Sequence, residues 1–279
     1  METMQWGNPD DFLMVIRCMK QKYAIPFFEE GQIKFSTPRS WVEWAKEHGE
    51  GRGDLLEGTM ATFHAFDLEN ARQLLIKYCS ANDDIEYLQL NNRYYLKKAA
   101  DMEMPCLCMY YLKNSMFPCP SEAGMHALEC DIPASYFRDL ADNASMEDVL
   151  KMEAGDRPAV VIFNDYPEFK RRLTAKLLAL GIKPEEIIET SVSYFDFEKY
   201  GTTGWWDFGQ KPPMELAIKH VRFAEQSEGR FIINTERKEV LNLLKEPIEI
   251  GPLNDISQLC NTYFLDGFQV QIHAIVEER

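Results

Sequence analysis

The sequence predicts an α+β fold: a single domain, residues 1–279, with a mixed, largely antiparallel sheet and flanking helices. Three observations lead there. Strand-like runs outnumber helical ones and follow no strict βαβ order. Tyr87-Leu-Gln-Leu-Asn91-Asn92-Arg-Tyr-Tyr-Leu reads as a hairpin, because an Asn-Asn pair tolerates the left-handed backbone of a tight turn. A chain of 279 residues, 46% hydrophobic and 27% charged, can bury the core of one large domain or two tightly joined ones. No internal repeat, low-complexity tract or long linker divides it.

Taken in order, Pro9-Asp10-Asp11 opens a helical pattern with Phe12, Val15, Ile16 and Met19 at helical spacing. Pro26 ends that helix or lies just past it. Gly31 leads into a short strand over 33–37, stopped by Pro38. Thr37 as N-cap with Pro38 at N1 starts a helix through Trp41 and Trp44. The following loop holds four glycines between positions 49 and 58, interleaved with Arg52, Asp54 and Glu57. It is either a flexible surface connection or a loop whose backbone approaches a ligand closely. Residues 59–65 read as a strand, and Asp67 opens an amphipathic helix carrying Leu74, Leu75 and Tyr78.

Strands follow over 104–112 and 126–132, helices over 133–141 and 146–152, and a fully apolar strand over 159–163. A long helix over 166–180 is closed by Gly181. Residues 187–197 read as a strand, 200–213 as an irregular aromatic loop whose Trp205 and Trp206 either anchor it on the sheet or cap a pocket, and 213–219 as a short helix. Strands over 230–234, 248–251 and 268–276 finish the chain, the last alternating cleanly.

Acidic residues number 45 against 30 basic, a formal net charge of −15. That field repels phosphates, so non-specific nucleic-acid binding is disfavoured. The best basic patch, Lys170-Arg171-Arg172 with Lys176, reads as a solvated helix face. Seven cysteines do not form a secreted disulfide framework and are expected to be buried, reduced and structural. Cys106-Leu-Cys108 lacks the second half of a zinc site. The N-terminus has no basic or apolar leader and no apolar run is long enough to span a bilayer. A soluble, cytoplasmic protein is expected.

The chemistry concentrates near the C-terminus, in Phe223-Ala-Glu-Gln226-Ser-Glu228-Gly-Arg230. A strand beginning at or before Glu228 puts Gln226, Glu228 and Arg230 on one face. A carboxylate, an amide and a guanidinium so placed can orient a polar ligand, with Ser36-Thr37 and the Arg52-Gly-Asp54-Leu-Leu-Glu57 loop supplying further groups. The blander reading is a structural ion pair of Glu228 with Lys219 or Arg230. His64 and His126 read as core histidines, and His220, beside Lys219 and close to this stretch, is a candidate ligand contact that no motif supports. Asp54, Glu57 and Lys219 are ill placed on strands for a metal nuclease, whose phosphate substrate the net charge also opposes. No metal is expected.

Four landmarks occur in order: Gly-x-Ile-x-Phe-Ser (31–36), Asp-x-x-Glu-Gly (54–58), Lys…Phe-x-x-Gln-x-Glu-x-Arg (219–230) and Ile-x-Ile-Gly (248–251). Together they resemble a widespread bacterial domain family of unknown function, associated in part with abortive infection and phage defence, over about residues 20–255. Where that family has Asn-Asp-Pro-Phe-Glu this chain has Gly53-Asp54-Leu55-Leu56-Glu57, so the two carboxylates carry over. Glu228 and Arg230 match; Gln226 stands where the family usually has Glu.

The Ser-Thr strand with a downstream Gln-x-Glu is also similar to the Arg/Ser-Thr/Glu pattern of mono-ADP-ribosyltransferases. That resemblance implies Glu228 as catalytic residue on the nicotinamide ribose and Gln226 as the acceptor-positioning residue. Ser36 and Thr37 become ribose or nicotinamide contacts, and Arg52 a diphosphate contact. The pattern's arginine belongs on a strand before the Ser-Thr strand; here the upstream arginine is Arg17, within the predicted helix. The implied activity is that of an NAD-consuming transferase or glycohydrolase in bacterial defence or toxicity, with NAD as substrate. On that reading Glu228→Gln abolishes turnover and leaves the melting temperature nearly unchanged. The reading from another class is a non-enzymatic sensor or interaction module binding a protein or small ligand in a polar cleft.

Overall fold

The computed structural model describes residues 12–51, 53–64, 69, 73, 84–118, 122, 124–140, 145–200, 214–261 and 268–276. Strand β1 (Phe12–Lys20) is followed by helix α1 (Gln21–Glu30), β2 (Gln32–Ile33), α2 (Pro38–His48) and β3 (Thr59–His64). Then come β4 (Ile85–Leu90), β5 (Arg93–Lys98), β6 (Cys106–Lys113), β7 (Gly124–Ile132), α3 (Ala134–Leu140) and α4 (Met146–Lys151). After β8 (Pro158–Phe163) and α5 (Tyr166–Ala179) lie β9 (Ile187–Ser191), β10 (Ser193–Phe195), α6 (Phe197–Tyr200) and β11 (Ile218–His220). The chain continues through β12 (Glu228–Ile233), α7 (Lys238–Leu243), β13 (Ile248–Glu249), β14 (Ser257–Asn261) and β15 (Phe268–Val276). The fold is α+β, and among the described residues its strand pairings are antiparallel except for β10 with β11.

A six-stranded sheet in the order β14-β8-β1-β6-β12-β9 forms the centre. The period-2 alternation of its strands builds a core on each face. Val15, Leu107, Met109, Tyr111, Val161, Phe163 and Phe231 meet Phe27 of α1 and Phe169, Leu173 and Leu177 of α5 on one side. On the other, Ile16, Tyr110, Leu112, Val160 and Ile162 meet Phe137 of α3 and Leu128, Cys130 and Val270 of the β7–β15 pair. A separate three-stranded sheet, β3-β5-β4, follows the 54–58 loop.

Several expectations change. The helix expected from Phe12 is β1. Its strand is covered on both faces, so its apolar run is nearly continuous and carries no period-2 signature. Pro26 lies inside α1, which runs on to Gly31 in the left-handed conformation (φ 68°). The 187–197 strand splits into β9 and β10, and the 213–219 helix is a single 3-10 turn, Met214–Ala217, leading into β11. Thr37 does cap α2, in a reciprocal box with Ser40. Asn91 and Asn92 both take positive φ (50° and 59°) in the β4–β5 hairpin, and Gly181 follows α5 with φ 81°. The basic stretch on α5 is consumed by ion pairs, Lys170 with Glu189, Arg171 with Glu168 and Arg172 with Glu168 and Asp255. The described cysteines, Cys18, Cys106, Cys108, Cys130 and Cys260, are free thiols. Among the described residues no helix is long and apolar enough to cross a membrane. Arg52, the expected helix from Asp67 and the 201–213 loop with Trp205 and Trp206 lie outside the described residues.

Candidate functional site

The site begins as a fork in the central sheet. The β1–β6 ladder stops at Ile16 opposite Tyr110, whereas β1 continues along β8 as far as Lys20 opposite Pro158. On its other side β6 stays paired with β12 from Tyr110 to Cys106. Backbone groups that β6 loses at the fork must find other partners. Ser36 takes one pair: its N–H donates to the Cys106 carbonyl (2.9 Å) and its carbonyl accepts from the Cys106 N–H (2.7 Å). The guanidinium of Arg17 reaches the Cys108 carbonyl at 3.4 Å. A cavity of about 170 Å³ fills the fork, lined by Arg17 to Lys20 from β1 and by Cys106, Cys108 and Met109 from β6.

Opposite the fork the same cavity is lined by Asp54, Glu57, Lys219, Gln226, Glu228 and Arg230. Arg230 is wholly buried. It holds Glu57 with two bonds (2.6 and 3.0 Å), Glu228 with one (2.6 Å) and the Leu216 carbonyl with another (2.6 Å). Its guanidinium also lies 4.9 Å from the centre of the Trp41 ring. Parallel pairing of β11 with β10 places Lys219, whose ammonium donates to Glu228 (2.9 Å) and to the Gln226 side-chain oxygen (2.7 Å). The Gln226 amide donates onward to the Gly51 carbonyl at 3.2 Å. Tyr194 of β10 accepts the Glu228 N–H through its hydroxyl at 2.7 Å.

Burial alone would neutralise these groups, and mutual pairing decides otherwise for most of them. Burial raises the Glu228 carboxyl, but Arg230 and then Lys219 outweigh it and hold Glu228 well below the ordinary carboxylate range. Burial lowers Lys219, yet Glu228 and Glu57 keep its ammonium above the ordinary value. For Glu57 burial wins over Arg230 and pushes the carboxyl up. The two carboxylates on Arg230 are therefore shifted in opposite directions. Burial pushes the Cys106 thiol up to about 12, so it is no thiolate nucleophile at neutral pH. Among the described residues no group of three or more His, Cys, Asp or Glu side chains is arranged to hold a metal ion.

Of the residues picked out in the sequence, Ser36, Asp54, Glu57, Lys219, Gln226, Glu228 and Arg230 come together around the cavity. Thr37 does not: it caps α2 and lines a neighbouring cavity of about 480 Å³ with Ser40 and Lys245. Gln226 reaches the site without lying on a strand. It ends a 3-10 turn, Val221–Gln226, and Ser227 in the left-handed conformation (φ 38°) turns the chain into β12. The Asp54–Glu57 loop is not a solvent-exposed connection, since both carboxylates are 1% exposed.

Trp41, Tyr136, Lys20 and the cysteines of β6 also line the cavity but carry no local motif. Arg17, expected within a helix, lies on β1 instead. Comparison of the chain with protein-family models, with curated proteins and with solved structures finds no match.

Proposed function

We propose that the chain is an NAD-consuming enzyme of the ADP-ribosyltransferase or glycohydrolase type that cleaves the bond between nicotinamide and ribose. The observation that carries this reading is the meeting of Ser36, Gln226 and Glu228 at one cavity, with Arg17 on β1, a strand earlier in the chain than Ser36. Breaking the glycosidic C–N bond leaves its electron pair on the nicotinamide nitrogen, which neutralises the pyridinium, and leaves positive charge on the ribose. An ionised Glu228 suits that transition state, because a fixed carboxylate in a water-poor site stabilises a developing cation. The ribose carbon then takes an oxygen or other nucleophile from water or an acceptor, which loses its proton. Arg17 and Lys20 at the fork offer positive charge to a diphosphate outside the acidic pole. A cavity of about 170 Å³ is below the ~300–1,000 Å³ typical of ligand pockets, so it takes one ring-sized moiety and leaves the adenylate outside. A role in bacterial defence or toxicity rests on the family resemblance.

A second reading has its own observation. Both oxygens of Glu228 and both of Glu57 are engaged by Arg230 and Lys219, as in a structural network. This favours a non-enzymatic module whose polar cleft binds a small ligand or a protein.

The two are separated by incubating the purified protein with NAD, with and without a protein acceptor mixture, and following nicotinamide release. The first reading expects release that falls by about 100-fold or more in Glu228→Gln, assayed below that variant's own melting point. No release from the wild type under either condition overturns it. Ligand-dependent thermal stabilisation without turnover is the signature of the binding module.

A further inference from the structure

Beside the fork lies the larger cavity of about 480 Å³, an ordinary size for a ligand pocket. It forms because β13 pairs with β2, Ile248 opposite Ile33, and so returns the chain leaving α7 alongside the extended segment that follows β2. Alternation along that segment buries Ile33 and Phe35 in the core and leaves Lys34 and Ser36 exposed together on the other side. The second wall is one face of α7 and the turn that closes it. Lys238, Leu241, Asn242 and Lys245 fall there at i, i+3, i+4 and i+7. Thr37 and Ser40 of the α2 cap complete the lining.

This lining is cationic, in a chain whose net charge is −15. Lys34, Lys238 and Lys245 come to it from two walls, and all three are exposed. Among the described residues none of the three is ion-paired. Several other exposed lysines face carboxylates, Lys22 with Asp156, Lys151 with Glu147 and Lys170 with Glu189. Glu103, the carboxylate on the lining, is held by Arg39. Lys245 donates to the side-chain oxygen of Asn242 at 3.0 Å, which leaves the amide N–H₂ as a further donor. The Thr37 hydroxyl accepts the Ser40 N–H at 3.2 Å and keeps its own proton to donate. Like charges gathered on one concave surface repel one another and concentrate an anion there.

We propose that this cavity binds the diphosphate group of a phosphorylated small molecule, held by Lys34, Lys238 and Lys245, with Ser36, Thr37 and Asn242 as neutral donors. Ammonium groups bind phosphate oxygens as compact point charges. Three of them match the charge of a diphosphate better than that of a single carboxylate. A long polyanion would instead meet the acidic surface of the rest of the chain. The site stands whether or not the fork cavity cleaves NAD. Ser36 lines both cavities, so the diphosphate is either that of a dinucleotide whose ring enters the fork or that of a separate molecule.

The probes are sodium pyrophosphate and ADP, titrated calorimetrically into the full chain at about 0.05 M NaCl. The wild type is expected to bind both with Kd below about 1 mM, more weakly as salt rises. Lys34→Ala and Lys245→Ala, both at exposed positions, are each expected to weaken binding about tenfold. Lys151→Ala on α4 changes the net charge equally and is expected to leave binding within about twofold. No binding of either probe by the wild type overturns the site. So does a loss in Lys151→Ala as large as in Lys34→Ala and Lys245→Ala, or no loss in any variant. Nicotinamide release then identifies the source. ADP that competes with NAD, with Lys34→Ala raising the KM for NAD by a similar factor, assigns the diphosphate to the dinucleotide. ADP binding without competition, or in a chain that releases no nicotinamide, assigns it to a separate molecule.

Discussion

At the scale of single residues, the character of the site follows from charges that cannot be removed one at a time. Glu228 faces Arg230 on one oxygen and Lys219 on the other, at 9% side-chain exposure. Glu228→Gln leaves both cations short of a counter-charge, and breaking a buried pair this way costs about 3–5 kcal/mol. The variant should therefore melt well below the wild type, contrary to the expectation from sequence that its melting temperature would hold. Lys219→Met should repair part of that loss. In a double-mutant cycle read by urea unfolding, the two substitutions should be non-additive by at least about 1 kcal/mol; additivity would mean that the pair is not energetically coupled. Arg230→Lys should be no milder than Glu228→Gln. An ammonium cannot serve Glu57 bidentately, Glu228 and the Leu216 carbonyl at once, nor stack on Trp41 as a planar guanidinium does.

At the scale of elements, β12 is shaped on both faces. Its even-numbered residues, Glu228 and Arg230, reach the cavity, while Gly229 lies under the Tyr111 ring, where a Cβ would stand 2.1 Å from ring carbons. The Tyr111 hydroxyl bonds Tyr166 at 2.8 Å and donates to Glu189 at 3.2 Å, so the ring has little room to retreat. Gly229→Ala should destabilise the protein by at least about 1–3 kcal/mol in denaturant unfolding. A second junction ties the turn before β9 to the chain entering α7. Burial raises the Glu186 carboxyl, but Arg237, the Lys183 N–H and Thr235 outweigh it and hold it down to about 2. A folded-state value below the unfolded one, about 4.3, gives stability that is full above that value and is lost as pH falls toward 2. Glu186→Gln should thus be less stable than the wild type at pH 7, with the two urea midpoints converging as pH falls from about 4 to 2. A gap that stays constant with pH would show that the carboxylate's charge is not what joins the two segments.

At the scale of the whole molecule, the net charge of −15 opposes the compact state through self-repulsion, which salt screens over a Debye length of ~10 Å at 0.1 M. Raising NaCl from about 0.02 to 0.2 M should raise the melting temperature, and the chain should show no retention on duplex DNA at either salt. A melting temperature that falls with salt would mean that exposed pairs such as Arg172 with Asp255 outweigh the global repulsion.

The sequence by itself determined the α+β class, most strands, the capped start of α2, the Asn91-Asn92 turn and the polar residues of the 54–58 and 226–230 stretches. Each is a local matter of alternation, capping and residue chemistry. Tertiary structure alone decided that Phe12–Lys20 is a strand, because a strand covered on both faces loses the alternation by which strands are recognised. It decided that β1 leaves β6 beyond Ile16, that Ser36 and Arg17 take up the freed backbone, and that Gln226 reaches the cavity from a turn. It also buried one oxygen of Asp54 with no hydrogen-bond partner among the described residues while filling those of Glu57 and Glu228. Long-range pairing and competition among buried charges settle such points. Neither leaves a trace in the spacing of residues along the chain, because the partners, Glu57 and Arg230 above all, lie 173 positions apart.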